Sequence, residues 1–200
     1  MGIDDVMSAR AVFLDRDGVI NRNVFNPATG EYESPLRPED FVLAPGALDA
    51  LKKLQDAGYL LFVVSNQPNA AKGKVTMDQL MAIHERLTVA LRKANITISE
   101  FYYCYHHPQG VVPEYAVPCD CRKPSPFFLL KAREKYGIDL ARSWMIGDRT
   151  TDIECGHAAG VRTVRVGEDS MLKRKSGKVK ANYKAKDLGD ATTIVLAIDT

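Results

Sequence analysis

Two hydrophobic rhythms take turns along this chain. The first is a short, mostly apolar run. Arg10 to Leu14, Tyr59 to Val64, Phe101 to Cys104 and Trp144 to Ile146 are of this kind and predict strands, and Val161 to Val166, with polar residues interleaved, predicts another. Tyr59-Leu60-Leu61-Phe62-Val63-Val64 is apolar throughout, the pattern of a strand buried on both faces. The second rhythm is helical. Leu48, Leu51 and Leu54 follow Pro45-Gly46 and predict a helix that Gly58 ends. Thr76-Met77-Asp78-Gln79 is a capping box, with Gln three residues after the cap. Met77, Leu80, Ile83, Leu87, Leu91 and Ala94 then keep helical spacing to Asn95. Phe127 to Tyr136 predicts a helix stopped at Gly137, and Thr151 to Ala159 another. Leu188 to Ile198 predicts a closing helix, although the β-branched Thr192, Thr193, Ile194 and Val195 lower its propensity.

Asn21 to Asp40 keeps neither rhythm. With Pro27, Gly30, Pro35 and Pro38 it reads as a loop or small cap over a strand end. Strands alternating with helices predict an α/β fold, a doubly wound and mainly parallel Rossmann-like sheet covered on both faces. Such sheets collect ligands outside the carboxyl ends of their strands. Asp15, Ser65, Cys104 and Asp148 all stand at or just past the end of an apolar run, so the fold would gather them on one rim. No repeat or linker divides the chain, and residues 1–200 read as a single domain.

Composition narrows the class. At 46% hydrophobic the chain has material for a sizeable core, and its net charge of +2 supplies no bulk field for nucleic acid. No apolar run approaches the ~20 residues of a membrane span. Met1-Gly2-Ile3-Asp4-Asp5 opens no secretory signal pattern, so the expectation is a cytoplasmic monomer without nucleic-acid or membrane partners.

The candidate chemistry lies at the strand ends. Asp15-Arg16-Asp17-Gly18 delivers two carboxylates two residues apart. The first can attack phosphorus and the second can carry a proton. The same four residue types also occur in calcium loops and plain turns. Ser65-Asn66-Gln67 offers a hydroxyl and a backbone N–H to a phosphoryl oxygen. Lys123, after Arg122, offers a cation for the charge that spreads over a phosphoryl group in flight. Gly147 lets a strand turn so that Asp148 emerges beside Asp15, where a cation could sit. Asp152 falls in the first turn of the next helix, where it either caps the helix or braces Asp148 or the lysine.

Cys104-Tyr105-His106 and Cys119-Asp120-Cys121 form two closely spaced pairs of soft ligands. Three thiols and one imidazole match a closed structural zinc site, which would fold an otherwise structureless loop ending at Arg122-Lys123. Cytoplasmic thiols argue against disulfides. Other conspicuous residues have plainer readings. Cys155 is a buried thiol, His84 a packing or surface residue, and His107 a neighbour of the zinc ligands. Lys173-Arg174-Lys175 with Lys178 and Lys180 is a solvated basic loop.

From residue 10 to residue 166 the four strand-end motifs resemble those of the haloacid dehalogenase-like phosphatases. The resemblance implies a haloacid dehalogenase-type sheet with a minimal cap. It makes Asp15 the nucleophile, Asp17 the general acid and then base, and Ser65 and Lys123 the phosphoryl stabilisers. Asp148 becomes a Mg2+ ligand together with Asp15 and the backbone carbonyl of Asp17, with Asp152 behind them. Tyr102 to Gly110 and Cys119 to Pro126 are similar to the heptose 1,7-bisphosphate 7-phosphatases. Such an enzyme acts on a small sugar phosphate and feeds nucleotide-heptose synthesis. Asn21, Asn66, Gln67, Arg122 and Arg149 would then contact substrate. Pro68-Asn69-Ala70 and Tyr105 depart from that family, and Gly147-Asp148-Arg149 with Asp152 is similar to the histidinol-phosphate phosphatases. Histidinol phosphate is therefore the alternative substrate. An inactive zinc-stabilised binding module is a further one, although such relatives lose Asp15, Asp17 or Lys123, all present here.

Overall fold

The structure, a computed structural model, describes residues 8–27, 30–167 and 179–199. The five predicted strands are present as β1 (Ala11–Leu14), β4 (Leu60–Asn66), β5 (Glu100–Cys104), β6 (Trp144–Gly147) and β7 (Arg162–Val166). They join β8 (Tyr183–Ala185) in one six-stranded sheet of order β5-β4-β1-β6-β7-β8. Every pairing in it is parallel. From β1 the chain moves out to β4 and β5 on one side, then crosses to β6, β7 and β8 on the other. The strand order thus reverses at β1, and a crevice opens beyond its carboxyl end. Leu14 stands opposite both Val63 and Ile146, so Asp15 leaves the sheet between β4 and β6.

Helices cover both faces, as the alternation requires. Val12, Leu14, Leu61 and Val63 pack with α1 (Ala47–Asp56), α2 (Met77–Lys93) and α5 (Leu188–Ile198). Ala11, Phe13, Phe62 and Val64 pack with α3 (Phe127–Tyr136) and α4 (Thr150–Ala159). Successive β1 residues therefore bury in opposite cores, and the sheet centre tolerates no polar side chain. The capping box at Thr76 is formed in both directions. In α5 the unfavourable β-branched run is offset by burial, since Ala191, Thr192 and Val195 lie against the sheet and Asp187 caps the first turn.

Two short features escaped the sequence pattern. Inside 21–40 lies a hairpin of β2 (Val24–Asn26) and β3 (Glu31–Glu33), followed by a 3-10 turn at Pro38–Asp40. Its strands are too short to show a period, and the exposed Phe25–Tyr32 ring pair, centroids 5.4 Å apart, was scattered among polar residues. β8 is likewise three residues long, on the sheet edge. Of the basic run, residues 173–178 lie outside the described residues and Lys180 is exposed. Among the described residues no helix is long and apolar enough to cross a membrane.

Candidate active site

The carboxyl end of β1 places Asp15 against Lys123. The ammonium lies 3.1 Å from Asp15 Oδ1 and 2.7 Å from Asp152 Oδ1, and it also donates to the Val64 carbonyl. Both Asp15 and Lys123 are almost fully buried. Burial alone would raise the Asp15 pKa. Lys123, assisted by the Ser65 hydroxyl, Arg149 and the Arg16 amide, holds it instead below the usual carboxylate value. Burial pulls Lys123 the other way, and the carboxylates of Asp15 and Asp152 outweigh it, keeping the ammonium charged beyond the ordinary lysine range. Its backbone is fixed as well. Asn66 Nδ2 donates to the Lys123 carbonyl and Asn66 Oδ1 accepts from the Lys123 amide, each at 3.0 Å. The result is a buried carboxylate and a cation held against each other.

Asp148 completes an acidic group with Asp15 and Asp152, their oxygens lying within 4.8 Å of one another. Both earlier readings of Asp152 hold. Oδ2 caps α4 by accepting from the Arg149 amide at 2.9 Å, and Oδ1 braces Lys123. With both oxygens engaged, Asp152 stands behind the site. Asp148 is different. Its buried Oδ1 has no hydrogen-bond donor, and its pKa is pushed up to about 7 by burial first, then by the charges of Asp15 and Asp152. Arg149 Nε, 3.8 Å away, lies too far to bond it. A half-buried carboxylate with one oxygen lacking a donor, beside a second carboxylate, fits an oxygen-coordinated divalent cation such as Mg2+. Two glycines make the cluster possible by close approach. A Cβ on Gly18, at φ +85°, would stand 2.4 Å from Asp148 Oδ2, and one on Gly147 would stand 2.2 Å from the Asp152 Cβ. Gly147 was expected to bend the strand; it clears space for Asp152 instead.

Asp17 sits in a cage of donors. Arg16 Nε and Nη2 each reach it at 3.1 Å, Asn21 Nδ2 at 3.0 Å and Gln67 Nε2 at 2.6 Å. Gln67 also receives Arg16 Nη2 at 2.9 Å and donates to Ser65 Oγ at 3.0 Å. Three residues expected to contact substrate have their side-chain amides engaged within the protein. Asn21 and Gln67 are buried and spend their amides on Asp17, and Asn66 spends its own on the Lys123 backbone. The partners of Gln67 and Asn66 lie 50 and 57 residues away in sequence, while that of Asn21 lies only 4 away. Arg122 Nη1 donates to the His106 carbonyl at 3.3 Å, which fixes it at the edge of the Cys-His loop. Lys72, an exposed residue after β4, was not singled out by the sequence pattern; partial desolvation and then the charges of Lys74, Arg122 and Arg149 lower its pKa, with Glu33 opposing them. Its signal was present in Lys72-Gly73-Lys74, directly after a strand-end loop.

Cys104, His106, Cys119 and Cys121 converge, their ligand atoms all within 4.8 Å of one another. Cys119 Sγ is 3.5 Å from the sulfurs of both Cys104 and Cys121, and Cys121 Sγ is 3.6 Å from His106 Nδ1. Ligands about 2.3 Å from a tetrahedral ion stand roughly 3.7 Å apart, so this spacing fits zinc. All the cysteines are free thiols. His107 stays outside the cluster, its Nδ1 accepting from the Gln109 amide. His84 packs against Tyr103, and the buried Cys155 donates to the Ser125 carbonyl.

Residues 120–191 match the profile of a family described as HAD-hydrolase-like. A D-glycero-beta-D-manno-heptose-1,7-bisphosphate 7-phosphatase of Salmonella typhi is 40% identical over 164 residues, 80% of this chain and 83% of that protein. The Yersinia pestis protein of the same name is 33% identical over 193 residues, 95% of this chain and 97% of that one. The crystal structure of D,D-heptose 1,7-bisphosphate phosphatase from B. bronchiseptica, complexed with magnesium and phosphate, superposes with a TM-score of 0.79 at 26% identity, covering 94% of this chain and 99% of that one. The likeness to these proteins thus extends over nearly the whole chain. The chain belongs to the haloacid dehalogenase-like hydrolases and, within them, to the family of the heptose bisphosphate phosphatases.

Proposed function

We propose that this chain hydrolyses the 7-phosphate of D-glycero-D-manno-heptose 1,7-bisphosphate, releasing inorganic phosphate and heptose 1-phosphate. The observation that carries the reading is Lys123, locked between Asp15 and Asp152 with Asp148 alongside. Asp15 Oδ attacks phosphorus in line as the bond from phosphorus to the sugar oxygen breaks. Asp17, which must carry a proton when substrate is bound, gives it to that departing oxygen. Asp17 then takes a proton from a water that attacks the aspartyl-phosphate, and the phosphorus–Asp15 bond breaks to return the free carboxylate. Lys123 and the Ser65 hydroxyl balance charge on the equatorial oxygens. Asp15, Asp148 and the Asp17 carbonyl would hold Mg2+, which offsets the repulsion between a carboxylate and a phosphate dianion. Cys104, His106, Cys119 and Cys121 would hold zinc, which positions the segment leading into Arg122 and Lys123 and takes no part in the chemistry.

Histidinol phosphate is the competing substrate, and one observation separates them. Lys72 feels the charges of Lys74, Arg122 and Arg149, with the carboxylate of Glu33 opposing them. A crowd of cations suits a second phosphate and repels the ammonium of histidinol. Phosphate release from the two substrates tests this. The expected result is a kcat/KM for the heptose bisphosphate at least about a hundredfold higher. A preference for histidinol phosphate overturns the assignment.

A further inference from the structure

The loop that carries Lys72 is gripped from two sides. Toward the hairpin, Asn69 Nδ2 donates to Ser34 Oγ at 2.9 Å, and Lys74 Nζ lies 2.7 Å from Glu33 Oε2. Toward the Cys-His loop, the Ala71 carbonyl accepts from the amides of Val111 and Val112 at 2.7 and 3.1 Å. Within the loop, the Lys72 amide donates to the Pro68 carbonyl and the Lys74 amide to the Asn69 carbonyl. Residues 69, 71 and 74 are therefore anchored, and Lys72 stands between the anchors. The two hairpin contacts are not equal. The side chains of the Lys74–Glu33 pair are 36% and 16% exposed, where ion pairs are screened and weak. Asn69 is only 6% exposed, so breaking its bond to Ser34 strands a buried amide. Asn69 lies in the Pro68-Asn69-Ala70 run, and Ser34 directly follows β3 of the hairpin.

We propose that Asn69 is a positioning residue. Its bond to Ser34 clasps the hairpin to the 68–74 loop, aims Lys72, and sets the preference for substrates with a second anionic group away from the scissile phosphate. This rests on the bisphosphate reading. The clasp acts through Lys72 and touches neither Asp15 nor Lys123, so it affects binding of the distal anion and leaves the phosphoryl chemistry alone.

The test compares Asn69→Ala and Ser34→Ala with the parent enzyme on heptose 1,7-bisphosphate and on p-nitrophenyl phosphate, which has no second anion. KM for the bisphosphate is expected to rise roughly five- to tenfold in either variant, with kcat and the p-nitrophenyl phosphate constants within about twofold. Ser34→Thr, which keeps the hydroxyl, is expected to retain the parent KM. In a Lys72→Ala background the clasp substitutions are expected to add less than about twofold. An unchanged bisphosphate KM, equal losses on both substrates, or a full effect without Lys72 overturns the clasp. If the parent enzyme prefers histidinol phosphate, the substrate reading fails and takes the clasp with it. If the parent prefers the bisphosphate and the variants keep its KM, only the clasp is wrong.

Discussion

At the scale of single residues, the site is a problem of buried charge. Lys123 is 3% exposed and balances two acids, so its removal does more than weaken a contact. Lys123→Met is expected to lower kcat by roughly a hundred- to a thousandfold, because the phosphoryl oxygens lose their fixed cation. It is also expected to cost about 3–5 kcal/mol of stability at neutral pH, because Asp15 and Asp152 are left buried without a partner. Chemical denaturation checks the second figure, and an unchanged midpoint refutes it. Asp15→Asn replaces a nucleophile with an amide. Turnover should fall by roughly a thousandfold or more in single-turnover assays, and near-parent turnover removes the covalent route. Asp148 gives a pH dependence. In the metal-free protein its pKa is raised from 3.8 to about 7, by burial first and by Asp15 and Asp152 next, against the weaker pull of Arg149 and Lys123. Between those values the folded chain keeps a proton that the unfolded chain has released, so this contribution to stability falls as pH rises from 3.8 to about 7. Asp15 is held low and loses its contribution only below its usual range, and Lys123 is held high and loses its own only above 10.5, so neither masks the window, while Asp152, also raised by burial, adds to the same fall. Mg2+ must displace the Asp148 proton. Its affinity should therefore rise with pH up to about 7, with up to about one proton released per ion near pH 6. Calorimetry in buffers of differing ionisation enthalpy reads both, and a pH-independent affinity with no proton release overturns the assignment.

At the scale of elements, legibility followed length and sequence distance. The capping box of α2 and the stop of α3 at Gly137 were readable because their signals lie within a few residues. The three-residue strands β2, β3 and β8 were not, because two or three alternating positions cannot be told from a loop. The same distinction runs through the site. Asp15, Lys123 and Asp148 could be picked out because each chemical type stands at a strand end or beside a metal motif. The engaged amides of Asn66 and Gln67 could not, since packing across the fold turned them toward Lys123 and Asp17. The Cys-His loop is the element whose order depends most on a ligand. Residues 105–126 contain no helix or strand, and the loop is tied down by the sulfur cluster and the Ala71 carbonyl. Cys121→Ser is expected to reduce zinc well below one ion per chain by elemental analysis. Amide exchange in residues 105–122 should rise in step, with kcat falling as Lys123 loses its support. Full zinc occupancy in that variant refutes the site.

At the scale of the molecule, the sheet turns distant sequence into one pocket. Asp15, Ser65, Lys123 and Asp148 span most of the chain, and they meet because β1, β4 and β6 are neighbours at the point where strand order reverses. That much followed from the alternation of strands and helices, which dictates a parallel sheet and places its working edge. The order of the strands did not follow, because pairing between buried apolar runs is chosen by whole-molecule packing and leaves no local signal. A ligand spanning these strand ends should accordingly stabilise the entire sheet. Beryllofluoride mimics a phosphoryl group on a carboxylate and needs both Asp15 and the neighbouring cations. At about a hundredfold over its dissociation constant, a ligand that binds only the folded state adds roughly 2.7 kcal/mol. For a chain of this length that is a rise in Tm of roughly 5–10 °C. The rise is expected with beryllofluoride and Mg2+ together, and should be much smaller with either alone. It is expected to vanish in Asp15→Asn, whose amide cannot bond beryllium, although that variant keeps Lys123 and the fold. Scanning calorimetry decides the matter: an equal shift in Asp15→Asn means that the anion binds elsewhere, and the strand ends do not form a phosphoryl site.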